Sequence, residues 1–161
     1  MEDETLERAT AALDNEQTVR GLLDTTCRVL VDALGASACT ISRVVGDLLV
    51  GLVELAPGDG PLALGHEFLI SDYPLTLEVV TGGDPRAVSL LESSPEPTEA
   101  SLLQTLGYDS LLMLCLPANG TCWGLIELYA NGDQFGESQA RLAREIATHA
   151  GRLLERLEPS D

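Results

Sequence analysis

Residues 109–129, "DSLLMLCLPANGTCWGLIELY", read as two strands joined at Asn119-Gly120. A type I′ turn needs positive φ at both central positions, which Asn and Gly accept at least cost. With that turn Leu116 faces Trp123, Leu114 faces Leu125, Leu112 faces Glu127 and Ser110 faces Tyr129. Because side chains alternate along a strand, these eight share one side of the sheet. The other side holds Leu111, Met113, Cys115 and Pro117 opposite Leu128, Ile126, Gly124 and Cys122. The second side is apolar and suits packing against long helices. The first mixes apolar walls with an indole N–H, a phenol, a hydroxyl and the lone carboxylate of Glu127. An ionised carboxylate in a dry core costs several kcal/mol unless it is paired or its pKa moves. This face is therefore expected to border a small-molecule cavity, apolar with a few convergent polar groups. Arg43 on the first strand is the most economical countercharge. The alternative is that Glu127 reaches water near a strand end, or pairs with Arg43 for structure alone.

Working outward, residues 4–34 read as helical, with a break near residues 14–17 and Gly35 as a C-cap. The first piece offers only Leu6 and Leu13 as large apolar residues, too few for a core helix by itself, so it is expected to be a leader or one side of a dimer contact. Residues 37–45 and 48–55 form a hairpin turning at Gly46-Asp47. Residues 56–61 make a loop, 62–70 a third strand, and a short helix runs from Ser71 or Asp72 to Gly82-Gly83. Residues 86–91 form a strand, 98–106 a helix closed by Gly107, and 137–157 the last helix, with Leu142, Ile146, Ala150, Leu153 and Leu157 on one face. Antiparallel hairpins at both ends of the sheet sequence, with helices inserted mid-chain, make an α+β single domain.

The chain has 161 residues and a net charge of −17, and all nine basic residues are Arg. That balance argues against nucleic acid, whose phosphates need clustered basic residues, and against anionic membrane surfaces. The acidic start lacks an apolar signal-peptide core, so a cytoplasmic location is expected. Cys27, Cys39, Cys115 and Cys122 form no CxxC, and neither His66 nor His149 lies at ligand spacing from them, so no metal is expected. Cytoplasmic thiols are expected to stay reduced and to pack as small apolar residues. Cys115 and Cys122 share a face as diagonal neighbours near the outer limit of disulfide geometry, which leaves a redox pair open.

Three stretches carry a resemblance to the GAF domain family: "LVDALGASACTISRV", "ISDYPLTLEVVTGGDPRAVSL" and the run from "LLQTLGYDSLLMLCLP" through "WGLIELY" and Phe135 into the last helix. The sequence resembles modules attached to bacterial diguanylate cyclases, phosphodiesterases and sensor kinases. The resemblance implies a central antiparallel sheet of about six strands, terminal helices on one face that often build a dimer, and short helices and loops roofing a pocket on the other. The roof would be the segments around residues 66–80 and 97–106. Residues 1–17 would be a helical leader, 18–158 the GAF domain and 159–161 a tail. Bilin attachment would need a roof cysteine, which the sequence lacks; haem would need His66; and roof arginine is scarce, with only Arg86 nearby, which disfavours an anionic nucleotide.

The resulting expectation is a non-enzymatic sensory module with no resident cofactor. It binds a small neutral or cationic molecule and signals through a homodimer's terminal helices to an output domain or a partner kinase or cyclase. Glu127 and Tyr129 would orient the ligand, Trp123, Leu112, Ser110 and Arg43 would line it, and Tyr73 and Leu77 would close above. A ligand-free dimerisation module is the first alternative. A thiol enzyme of the free methionine sulfoxide reductase kind, using Cys115 and Cys122, is the second; the cysteine-free stretch 65–106 speaks against it.

Overall fold

A computed structural model describes residues 2–56, 68–132 and 135–158. Helices α1 (Glu2–Asp14) and α2 (Val19–Leu34) are followed by β1 (Ala38–Val45), β2 (Leu48–Leu55) and β3 (Phe68–Leu69). A 3-10 turn (Ile70–Asp72) leads to α3 (Pro74–Gly82), β4 (Arg86–Ser89) and α4 (Pro97–Leu106). The chain closes with β5 (Ser110–Ala118), β6 (Thr121–Ala130) and α5 (Glu137–Leu157). Among the described residues one six-stranded antiparallel sheet runs β3-β2-β1-β6-β5-β4, so the first and last long strands meet at its centre. Of the third strand read from the sequence only Phe68–Leu69 is described; the rest, with His66, lies outside the described residues.

Each helix boundary has a local cause. Thr18 caps α2 by accepting a hydrogen bond from the Gly21 amide at 3.0 Å, and Gly35, with φ of 68°, ends it in the left-handed conformation. Pro74 and Pro97 sit in the first turns of α3 and α4, where a missing N–H costs nothing. The break between α1 and α2 falls where the sequence placed it. α1 docks on α2 and α5 with Leu13 and Ala9 buried, so it shares the core of the terminal helices.

The sheet separates two cores. α1, α2 and α5 cover one face, where Leu22, Leu30, Ile41, Ile126, Ile146 and Leu154 pack together. α3, α4 and the 3-10 turn cover the other, over Leu111, Met113, Leu125 and Tyr129, with Ile70, Val79 and Leu103 above.

The β5–β6 register differs from the sequence expectation at one point. Asn119 and Gly120 form the turn with φ of 55° and 77°, and Pro117 faces Cys122 as that turn dictates. Pairing then slips: Leu116 faces Gly124, and Trp123 becomes the extra residue of a bulge. Beyond it Cys115 faces Leu125, Met113 faces Glu127, Leu112 faces Leu128, and Leu111 faces Tyr129. A one-residue slip exchanges the face of a whole strand. Leu112, Leu114 and Leu116 therefore lie under the terminal helices together with Trp123, while Leu111, Met113 and Cys115 face the roof.

α5 crosses β5 closely at Gly151, where an added methyl would overlap the carbonyl oxygen of Pro117. Glu155 Oε2 accepts the Asn119 amide at 2.6 Å one turn further along. In an unobstructed helix Gly→Ala stabilises by up to about 1 kcal/mol. Here overlap with backbone outweighs propensity, and Gly151→Ala is expected to destabilise by about 2–3 kcal/mol in urea unfolding. A stabilised variant would show that the crossing has room to spare.

Candidate functional site

The carboxylate of Glu127 lies on the roof side of β6. Its cross-strand neighbours are Thr40 on β1 and Met113 on β5. Ile126 and Leu128, pointing the other way, are fully buried, whereas Glu127 is half-buried. Desolvation nevertheless raises its pKa from 4.5 to about 7, with the like charge of Glu99 adding to the rise and the Tyr129 hydroxyl opposing it. Tyr129 donates its hydroxyl to Glu127 Oε2 at 3.1 Å, and burial followed by the Glu127 charge raises the phenol's own pKa. The Tyr108 ring lies 5.4 Å from that of Tyr129.

Opposite Glu127, Thr40 is fully buried, and its Oγ1 has no hydrogen-bond partner among the described residues. It is close enough to the Tyr129 hydroxyl to favour the phenolate, but not in hydrogen-bond geometry. An unsatisfied buried hydroxyl costs about 1–3 kcal/mol. The roof supplies a second carboxylate. Glu99, in the first turn of α4, is 1% exposed and accepts the Thr76 hydroxyl at 2.7 Å. Burial raises its pKa, and the Thr76 hydrogen bonds partly offset the rise. Thr76 Oγ1 also lies 3.3 Å from Met113 Sδ, so a chain of contacts connects Glu99 through Thr76 and Met113 to Glu127. Tyr73, the N-cap of α3, feels both carboxylates: its pKa is raised by burial, then by Glu99, with Asp72 and Glu127 adding less. A groove of about 470 Å³ runs outside the roof between Tyr73 and α4.

Of the residues singled out from sequence, Glu127, Tyr129 and Tyr73 come together. The other five lie elsewhere. Leu112 is core beneath the terminal helices, and Ser110, two residues away on the same strand, bonds the Gly132 carbonyl. The Arg43 guanidinium stacks 4.2 Å above the Trp123 ring and donates to the Trp123 carbonyl at 2.9 Å. The indole in turn donates to Glu158 Oε1 at 3.2 Å, beyond the end of α5. Arg43 and Trp123 thus clamp the helix side of the sheet, and Arg43 does not pair with Glu127. Leu77 is 40% exposed on α3. Sequence reasoning missed Thr40, Glu99, Thr76 and Tyr108. The period-two pattern of β1 could have found Thr40, which alternates with the helix-side Cys39 and Ile41.

The cysteines divide into two kinds. Cys27 and Cys39 are free and buried on the helix side, as small apolar residues. Cys115 and Cys122 are joined in a disulfide with Cα atoms 5.4 Å apart, correcting the expectation of reduced thiols. The pair lies on the roof side. It lines a separate groove of about 660 Å³ between the end of α3 and α5.

The fold prefers the protonated form of Glu127, so the native state holds the extra proton between about pH 4.5 and 7. The associated stability is full below this window and is lost as pH rises through it, on the order of 3 kcal/mol for such a shift. Urea unfolding is expected to show Glu127→Gln more stable than the parent at about pH 8 and no more stable at about pH 5. Equal differences at both would show the carboxylate to be well solvated.

A GAF domain model matches residues 18–154. No curated protein matches the sequence. Among solved structures, the chromophore-binding domain of a bacteriophytochrome from R. palustris is similar, with a TM-score of 0.80 at 15% identity, covering 99% of this chain and 63% of that one. That of Stigmatella aurantiaca phytochrome P1 gives 0.78 at 16%, covering 99% and 60%. A far-red-absorbing dark-state domain with bound biliverdin gives 0.78 at 15%, covering 96% and 99%. The chain thus spans about three fifths of the phytochrome fragments, and at these identities the likeness speaks to fold. With the family model matching most of its length, the chain belongs to the GAF domain family.

Proposed function

We propose that this chain is a regulatory, non-enzymatic GAF module that holds a small molecule between the sheet and the roof of α3 and α4. The observation that carries the reading is the Thr40 hydroxyl, fully buried and, among the described residues, without a partner in hydrogen-bond geometry, beside the Glu127 carboxylate and the Tyr129 phenol. A filled core gains nothing by placing an orphaned hydroxyl next to an uncompensated carboxylate. A ligand with polar groups satisfies both. The same two strands offer a route outward. Thr40 and Glu127 face the roof, while Cys39, Ile41, Ile126 and Leu128 on β1 and β6 seat the terminal helices. A ligand that draws Thr40 toward Glu127 biases helix packing to the extent that it prefers one arrangement. The terminal helices of two copies would then carry the signal to an output domain or partner. The family relationship supports the class of function, and the biliverdin seen in the similar domain illustrates that this fold accommodates a small molecule.

Native mass spectrometry of the protein purified from its own host is expected to show a dimer in which each subunit carries a small-molecule mass. Thr40→Val and Glu127→Gln are expected to lose that mass while keeping the fold by circular dichroism. Bare-chain masses for the parent and both variants would overturn the reading.

A further inference from the structure

Resting on the pocket reading above, the recognition chemistry can be taken one step further. Two carboxylates from opposite layers are linked here by contacts, Glu127 on the floor opposite Met113, and Glu99 on the roof bonded to Thr76, whose hydroxyl touches the Met113 sulfur. Among the described residues each accepts hydrogen bonds only from neutral donors, Tyr129 for Glu127 and Thr76 for Glu99, and no cation pairs with either. The arginines nearest in the chain and sheet are committed. Arg43 stacks on Trp123 across the sheet, and Arg86, the β4 neighbour of Met113, pairs with Glu78 at 3.1 Å on the exposed rim. Thr40 adds a buried hydroxyl that has no partner in hydrogen-bond geometry among the described residues, on the same face as Glu127 and directly opposite it. The remaining walls are Met113, Tyr129 and Leu125, which offer dispersion contacts and an aromatic ring suited to a cation.

We propose that Glu127 and Glu99 together recognise a small organic cation, a protonated amine or amidinium. Its N–H groups bridge the two carboxylates, and its body lies against Met113 and Tyr129. An anionic ligand would add a third like charge to two already desolvated ones. A neutral ligand would leave both carboxylates uncompensated when ionised. A cation removes the repulsion between them and supplies the donors they lack. The Thr40 hydroxyl then finds a partner in the ligand.

The arrangement makes binding depend on protons. The titratable groups around Glu127 are Tyr129 on its own strand, Glu99 on α4 with Glu96 at that helix's N-cap, Tyr73 with Asp72 ahead of α3, and, from the other face of β1, the Cys39 thiol, whose pKa burial raises and the Glu127 charge helps to raise. Tyr108 stacks on Tyr129, and the Arg86–Glu78 pair marks the rim. Burial pushes the Tyr73 and Tyr129 phenols up, away from the working range, so the carboxyls set the dependence.

The test is calorimetric titration of the full chain at high ionic strength, which screens its overall negative charge. Butane-1,4-diamine serves as the cationic probe and butane-1,4-diol as its neutral isostere. The diamine is expected to bind about tenfold more tightly at about pH 8 than at about pH 6, as Glu127 ionises. Glu127→Gln and, separately, Glu99→Gln are each expected to weaken it at least about tenfold, the loss of one charge-assisted contact. The diol is expected not to bind. Diol binding equal to that of the diamine, or diamine binding indifferent to both variants, overturns the cation assignment and leaves the pocket standing. Failure of both probes overturns the cation assignment too; a bound mass on the purified protein would then show a pocket for other chemistry. Glu99→Gln keeps the test decisive should the other variant prove unstable.

Discussion

Pro117 has no amide hydrogen to give to the strand beside it, and the β5–β6 ladder is built around that lack. A proline inside a sheet belongs at an edge or a bulge. Here the register slips between Leu116 and Pro117, and Trp123 on β6 is the residue left over. The consequence reaches well beyond the turn. With the slip, β5 turns Leu112, Leu114 and Leu116 toward the terminal helices and Met113 toward Thr76 and Glu99. Without it the strand would present the other set to each layer. The bulge also sends the indole to the helix side, where Arg43 and Glu158 hold it.

Most of the architecture was legible in local chemistry. Gly35, Gly83 and Gly107 end helices with positive φ, Asn119-Gly120 makes its hairpin, and the apolar stripe of α5 was complete in the sequence. The face assignment was half legible. Leu125, Glu127 and Tyr129 were placed on the pocket side and lie on the roof side. The β5 residues were inverted because turn chemistry fixes the first pairs only, and alternation propagates any error along the strand. The readable warning was Pro117 near the end of the strand, next to the point where Trp123-Gly124 passes Leu116. Glu99 could not be read this way. It sits in a short helix whose sequence, "PTEASLLQTL", gives no reason to expect its single acid to turn inward. Only the packing of α4 over α3 makes it a buried group.

Glu127 is unusual less for being desolvated than for what the fold declines to give it. Arg43 is on the adjoining strand and was the natural countercharge. Alternation sends it to the opposite face, where it serves Trp123. A structural ion pair would have needed one residue of displacement along β1. The hydrogen bonds the carboxylates do receive come from neutral hydroxyls, which stabilise charge without cancelling it. The site therefore keeps its negative potential, and the proton that Glu127 retains up to about neutral pH is the cheapest occupant in the absence of a better one.

The proposed site and the terminal helices share a floor one strand pair thick. β1 and β6 are hydrogen-bonded neighbours at the sheet centre, and along each of them roof-facing and helix-facing residues are adjacent in sequence. Any change in the spacing of Thr40 and Glu127 is felt by Cys39, Ile41, Ile126 and Leu128 through covalent geometry, with no need for a longer path. A close-packed core resists gradual deformation and responds by shifting between discrete arrangements. The clamp of Arg43, Trp123 and Glu158 stands where these strands meet the end of α5. It is the point at which a strand displacement would be converted into a change of helix contact. That conversion requires a ligand whose affinity differs between the two helix arrangements. Under the proposed reading, a cation gripped from floor and roof together would meet the requirement if the spacing of Thr40 and Glu127 that it selects belongs to one helix arrangement and not the other.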